Sequence, residues 1–134
     1  MTATDKSNEA LKIAKLNTNN EINFYCGDWF DAVPDEKFDL IVSNPPYIDD
    51  HDPHLDNLKY EPLEALTSGS NGLDDIRIII NESPKYLKEG GYLLLEHGFN
   101  QQKEIIGLLK ESFFNINTYK DLNDIDRAVL AQYR

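Results

Sequence analysis

Asn44, Pro45, Pro46 and Tyr47 stand together in the stretch DLIVSNPPYIDD, and their types suit one kind of chemistry. An amide nitrogen is a poor nucleophile because its lone pair is delocalised into the carbonyl. A site that methylates such a nitrogen can accept hydrogen bonds from both of its N–H groups and so turn the nitrogen toward an electrophile. The Asn44 side-chain oxygen is one such acceptor. The Pro45 carbonyl is a second, held stiffly by the two prolines and claimed by no strand ladder. Tyr47 can lay its ring face on the planar group. No strong base is required, because the proton can leave once the nitrogen has become cationic, so catalysis rests on positioning. Without that chemistry, the same four residues are a strand that ends in a Pro-Pro turn.

The elements around this stretch must put it where a ligand can reach it. Leu40, Ile41 and Val42 form a short apolar run of the kind a fully covered strand shows. The amide and the two prolines therefore fall at the carboxyl end of a core strand, the edge at which open α/β sheets bind ligands. Before it, TATD reads as the end of a strand. Ser7 can cap a helix carrying Ala10, Leu11, Ile13 and Ala14 on its inner face. That helix fades into turn chemistry at residues 17 to 20. INFYCG alternates Ile22, Phe24 and Cys26 against Asn23 and Tyr25, a half-buried strand closed by Gly27.

After the prolines a long polar loop runs to about Gly72, and loops of that length in a compact domain are functional or disordered. Leu73, Ile76, Ile80 and Leu87 then fit one helical face, with Pro84 as a kink or the start of a new turn. GGYLLLEHG is a strand bracketed by glycines. NQQKEIIGLLKESF is an amphipathic helix carrying Ile105, Ile106, Leu108 and Leu109. FFNINTYKD and DRAVLAQYR close the chain as an antiparallel hairpin, with Asn123 and Asp124 in its turn. This alternation implies an α/β, doubly wound, mainly parallel sheet.

Length and charge narrow the function classes. The 134 residues suffice for one domain with a hydrophobic core. A net charge of −11 without a basic block makes direct nucleic-acid binding an unpromising role, since that affinity comes from cationic side chains displacing counterions. No apolar run is long enough to span a bilayer. Cys26 is the single cysteine, so no internal disulfide can form, and the reading is a reducing, cytoplasmic compartment. DDHDPHLD offers Asp49, Asp50, His51, Asp52, His54 and Asp56 as metal ligands. Their spacing follows no helix-borne pattern and Pro53 interrupts them, so the stretch reads as a solvated acidic loop and no metal is expected. His97, after LLLE, reads as a strand-end residue near the core and not as a general base.

FDLIVSNPPYI resembles the substrate motif of class I S-adenosylmethionine (SAM)-dependent methyltransferases that modify amino groups on planar systems. TATDKSNEALKIAKLN, GDWFDA, SNPPYI, YEPLEALTSGSNGLDDIRIII and GGYLLLEHG follow in order. In that order they are similar to the release factor glutamine methyltransferase family, which methylates the glutamine of the Gly-Gly-Gln motif in peptide chain release factors. The resemblance runs from Thr2 to Arg134. It implies a Rossmann-like fold, SAM as methyl donor and a peptide chain release factor as partner. It makes Asp5 the acceptor for the ribose hydroxyls and Asp28 the acceptor for the adenine amino group, with the Trp29 ring beside the purine. Asn44 then grips the substrate amide, with Pro45, Pro46 and Tyr47 beside it, and counts with Asp5, Asp28 and Trp29 among the cofactor-binding residues. Glu61 and Pro62 match the loop after the motif. The NPPY stretch is shared with adenine-N6 methyltransferases of DNA and RNA, which form the second reading. A non-catalytic, partner-binding remnant is the third.

The family also carries an N-terminal helical domain and a glycine-rich SAM turn after a first strand, and this sequence contains neither. In the family's sheet that strand lies between those ending at Asp5 and at Asn44. The expectation is therefore the carboxyl-terminal part of a catalytic domain, with two unpaired inner edges, doubtful SAM binding by this chain alone, and self-association through those edges.

Overall fold

The computed structural model describes residues 1–19 and 21–134; of the turn read at residues 17 to 20, Asn20 lies outside the described residues. The chain divides into two compact units, Met1–Glu36 and Lys37–Arg134, and each is taken by itself.

In the first unit, β1 (Thr2–Asp5) and β2 (Asn23–Cys26) pair in parallel, with Asp5 opposite Cys26. Between them runs α1 (Asn8–Leu16). It starts where it does because Ser7, in an extended conformation, accepts a 3.2 Å hydrogen bond from the Ala10 amide. Glu9 in its first turn and Lys15 in its last suit the helix dipole. The inner face is narrower than the sequence pattern suggests. Leu11 is buried and Ala14 half-buried, but Ala10 and Ile13 are exposed. A nine-residue helix against two four-residue strands buries a single narrow stripe. Cys26 likewise is exposed and not half-buried, its thiol lying 3.4 Å from the Lys6 carbonyl.

The second unit holds β3 (Phe38–Ser43), α2 (Asp74–Glu82), β4 (Leu87–Glu96), α3 (Gln102–Leu109), β5 (Phe113–Lys120) and β6 (Asp126–Tyr133). The strand order is β3-β4-β6-β5, with β3 parallel to β4 and β6 antiparallel to both its neighbours. The closing hairpin is present. Its turn is organised by Asp121, whose Oδ1 accepts from the Asn123 and Ile125 amides at 2.8 and 3.1 Å while Oδ2 accepts from Arg127.

One face of this sheet forms the core. Leu93 and Leu95 of β4 pair with Ala131 and Val129 of β6, and all four are buried. Ile76, Ile79 and Ile80 of α2, and Ile105 and Leu109 of α3, supply the matching apolar stripes. On the other face Val42 is 64% and Leu40 50% exposed, opposite Leu94 and Tyr92. The apolar run of β3 is therefore not covered on both faces, because both helices of the unit bury their stripes against the Leu93–Leu95 side. Among the described residues β3 pairs only with β4, and β1 only with β2.

Two boundaries differ from the sequence pattern. The helix ends at Glu82, Pro84 opens a separate 3₁₀ turn over Ser83–Lys85, and Leu87 begins β4 instead of closing the helix. The strand thus starts upstream of its glycines. Gly91 is where β3 and β4 change register, and a Cβ there would lie 2.9 Å from the Lys88 carbonyl oxygen and 3.1 Å from that of Phe38. Only a residue without a side chain allows the two backbones to close over the bulge. Gly107, in α3, is the opposite case. It is exposed and an added Cβ meets nothing within 4 Å. Gly107→Ala is expected to stabilise the unit by about 0.5–1 kcal/mol, seen as a higher denaturation midpoint.

Candidate functional site

β3 delivers Asn44 to its carboxyl end, exposed, one residue beyond the Ser43–Leu95 pair. Pro45 is fully buried and Pro46 and Tyr47 are half-buried. The corner is therefore anchored through its first proline and presents the asparagine outward. Its backbone is tied down immediately afterwards. The Tyr47 and Ile48 amides both donate to the Leu66 carbonyl, at 3.1 and 2.9 Å, and Ile48 makes a parallel bridge with Thr67. The loop from Pro45 to Gly72 is thus a folded strap, stiffened by 3₁₀ turns over Pro53–Leu58 and Leu63–Ala65.

Tyr47 is held at both ends. Its hydroxyl donates to Glu96 Oε1 at 2.9 Å, and its carbonyl oxygen accepts from Gln101 Nε2 at 2.9 Å. The same Nε2 lies 3.2 Å from the carbonyl oxygens of Asn71 and Gly72, while Gln101 Oε1 accepts from the Gly98 amide at 2.8 Å. Gly72 has φ +68°, and a Cβ there would fall 2.1 Å from the Tyr47 oxygen. Next to it, the buried Ser68 hydroxyl donates to Asp75 Oδ2 and accepts from the Asp75 amide, both at 2.7 Å, which fixes the start of α2.

The Tyr47 phenol is held above its ordinary value of 10.0, first by burial and then by its hydrogen bond to Glu96 and the charge of that carboxylate, with Arg127 acting the other way. Folding therefore favours the neutral phenol. Its contribution to stability is complete below pH 10 and is lost as pH rises through the raised value. Spectrophotometric titration is expected to show a late-ionising tyrosine that is absent from Tyr47→Phe.

In the first unit, Asp5 and Asp28 lie at and just beyond the carboxyl ends of neighbouring parallel strands, both exposed. Asp5 Oδ1 accepts from the Ser7 amide at 2.7 Å, and the Gly27 amide donates to the Asp5 carbonyl at 3.1 Å, which ties the two strand ends together. Lys6 stands 3.9 Å from Asp28. Trp29 has φ +43°, a left-handed conformation uncommon for a bulky residue. Asp5 is thus the last residue of β1, and Asp28 and Trp29 follow the end of β2 by two and three residues.

The acidic loop has local structural work. Asp49 Oδ1 accepts from the His51 amide at 2.8 Å, and Asp52 Oδ1 accepts from both the His54 amide and His54 Nδ1 at 2.8 Å, capping the 3₁₀ turn. Among the described residues no three His, Cys, Asp or Glu side chains form a group that could hold a metal. Glu61 and Pro62 are exposed beside the second 3₁₀ turn. His97 is completely buried, with Nδ1 2.9 Å from the Gly98 carbonyl oxygen, in keeping with a core position.

A parallel β-pair with its connecting helix, and a β3-β4-β6-β5 sheet ending in an antiparallel hairpin, compose the Rossmann-like fold of class I methyltransferases. A ribosomal protein L11 methylase from Lactobacillus delbrueckii subsp. bulgaricus superposes with a TM-score of 0.67 at 20% identity, covering 99% of this chain and 57% of that one. The 16S rRNA N2 G1207 methyltransferase of T. thermophilus, solved with AdoMet and guanosine, gives 0.67 at 18% identity, covering 99% of this chain and 31% of that one. Residues 1–125 match the methyltransferase small domain, and the chain belongs to that family. Among curated relatives, the release factor glutamine methyltransferase of Coxiella burnetii (strain RSA 493 / Nine Mile phase I) is 47% identical over 135 residues, 97% of this chain and 49% of that protein. The chain spans about half the length of the curated relatives it matches. No helix among the described residues is long and apolar enough to cross a membrane.

Glu96, Gln101, Gly72 and Ser68 were not evident from the sequence. Glu96 ends β4 and Gln101 immediately precedes α3, and that position at the element ends is the one available signal.

Proposed function

We propose that this chain is the carboxyl-terminal part of a SAM-dependent N5-glutamine methyltransferase catalytic domain, acting on the Gly-Gly-Gln glutamine of a peptide chain release factor. The observation that carries the reading is the exposed Asn44 at the end of β3, seated on a buried Pro45 and followed by a doubly anchored Tyr47. The names of the relatives support the substrate, and the half-length span supports the assignment as part of a domain. SAM supplies an electrophilic methyl group on a sulfonium. Asp5 and Asp28 are the residues that would hold its ribose and adenine, with the Trp29 ring on the purine. Asn44 Oδ1 and the Pro45 carbonyl accept the two N–H groups of the glutamine amide, and Tyr47 sets the plane of that amide. The proton lost after transfer goes to solvent and needs no dedicated base. A cytoplasmic location follows from the substrate and suits an exposed thiol, Cys26.

The test is methyl transfer from labelled SAM by the protein that carries residues 1–134. Release factor should be labelled, the same factor with its glutamine replaced should not, and DNA and RNA should not. Labelled adenine in nucleic acid would overturn the reading in favour of the adenine-N6 alternative. Thermal shift of the isolated chain with SAM addresses the first unit, where weak stabilisation is expected. A concentration-dependent oligomer in size-exclusion chromatography is expected if the β1 and β3 edges pair with other copies.

A further inference from the structure

We propose that Glu96 and Gln101 are positioning residues that set the acceptor corner by clamping Tyr47 from opposite ends. The proposal rests on the methyltransferase reading for its functional meaning, but its geometry stands apart from the identity of the substrate. Glu96 is the last residue of β4 and pairs with Ala128 of β6, so its backbone is fixed by the sheet on that side. Its neighbour Leu95 is paired with Ser43, the residue before Asn44. A carboxylate on that frame is a fixed point, and the Tyr47 hydroxyl donates to it at 2.9 Å. Gln101 is 6% exposed and hydrogen-bonds through both side-chain atoms: Oε1 takes the Gly98 amide, and Nε2 is shared among the carbonyl oxygens of Tyr47, Asn71 and Gly72.

Three loops meet at that one amide: the stretch after the two prolines, the stretch before α2, and the connection from β4 to α3. An NH2 group lost from such a place leaves buried carbonyls without a partner, so each loop is free to shift. Tyr47 would then keep its ring and lose its register with Asn44. Gly72 completes the device, because its missing Cβ is what lets the Tyr47 carbonyl approach the Gln101 amide. The charged groups acting on the Tyr47 phenol are Glu96 from β4 and Arg127 from β6, and Arg127 is itself paired with Asp121 at 3.2 Å.

Two measurements test the clamp. The first is the Tyr47 phenol titration in the chain of residues 1–134, which needs no turnover. Glu96→Ala and Gln101→Met should both lower the late tyrosine pKa toward 10.0, while Glu96→Gln, which keeps an acceptor for the hydroxyl, should retain much of the shift. If Gln101→Met fails to fold, Gln101→Asn replaces it, since it keeps a neutral amide and draws the donor back by one methylene from the three carbonyls. A phenol titration indifferent to every one of these changes would overturn the clamp. The second is kinetic, in the protein that carries this chain. Glu96→Ala should cut kcat by about 10²-fold with KM for the methyl donor unchanged. In a Tyr47→Phe background the same change should add no further loss. Equal losses in both backgrounds would show that Glu96 does not act through Tyr47. Should the wild type label no glutamine at all, the functional reading falls, and the phenol titration still decides the clamp.

Discussion

In the protein that carries residues 1–134, Asn44→Ala is expected to lower the proposed methyl transfer by about 10²–10³-fold while leaving the denaturation midpoint where it was. The two halves of that expectation come from the same observation. Asn44 is exposed at the end of β3, so removing its amide opens no cavity, and the turn is held instead by the buried Pro45 and by the Leu66 carbonyl that receives the Tyr47 and Ile48 amides. On the proposed reading, what disappears is one of two acceptors for a planar NH2 group. With only the Pro45 carbonyl remaining, the amide can pivot, and a misaligned nitrogen loses the near-attack geometry on which a reaction without a strong base depends. Asn44→Asp is a useful companion. It keeps an acceptor oxygen but adds a negative charge, so it should fall between wild type and alanine. Labelled-SAM transfer together with a urea denaturation curve checks both halves. Retained activity in Asn44→Ala would remove the basis for the proposed reaction.

Gly72→Ala is expected to do the reverse and damage stability first. Gly72 sits at φ +68°, where a side chain costs about 1–2 kcal/mol by itself. The added carbon would lie 2.1 Å from the Tyr47 oxygen and 2.8 Å from Gln101 Nε2, so backbone must move to admit it. Together these should remove about 3 kcal/mol or more, against a total stability of about 5–15 kcal/mol for a domain. Gly107→Ala, in open space on α3, is the matched control and should shift the midpoint the other way. If both substitutions were equally mild, the close approach at Gly72 would not be a feature of the molecule. Because the displaced atoms belong to Tyr47, any folded fraction of Gly72→Ala should also transfer methyl groups poorly.

Local signals in the sequence were legible where one residue type answers one local requirement. Ser7 before an amphipathic run fixes the start of α1, and Pro84 divides a helix from the turn that follows. Asn44 to Pro46 marked the strand end that falls at Ser43. Patterns failed where the outcome depends on what else is packed nearby. Leu40 and Val42 look like a strand covered on both faces, yet the covering layer is a matter of neighbouring elements, and here one face is open. Ile13 fits a helical stripe that two short strands are too narrow to bury. Leu87 obeys helical spacing but lies on β4, since a register count cannot see a turn reset by proline. Gln101 was hardest to foresee. Its role exists only because three loops distant in sequence converge on it, and no spacing rule records that convergence.

The position of β6 has a bearing on how the second unit forms. This strand spans Asp126–Tyr133 but lies inside the sheet, hydrogen-bonded to β4 on one side and β5 on the other. A ribosome-bound chain that has released residues only as far as α3 would hold β4 with one flank bare and the apolar Leu93 and Leu95 in search of cover. Closure must wait for Val129 and Ala131 to emerge and zip between strands made earlier. Proteolytic clipping within those eight residues would return the unit to that open condition, so nascent or nicked molecules are the forms in which chaperone capture and aggregation should concentrate.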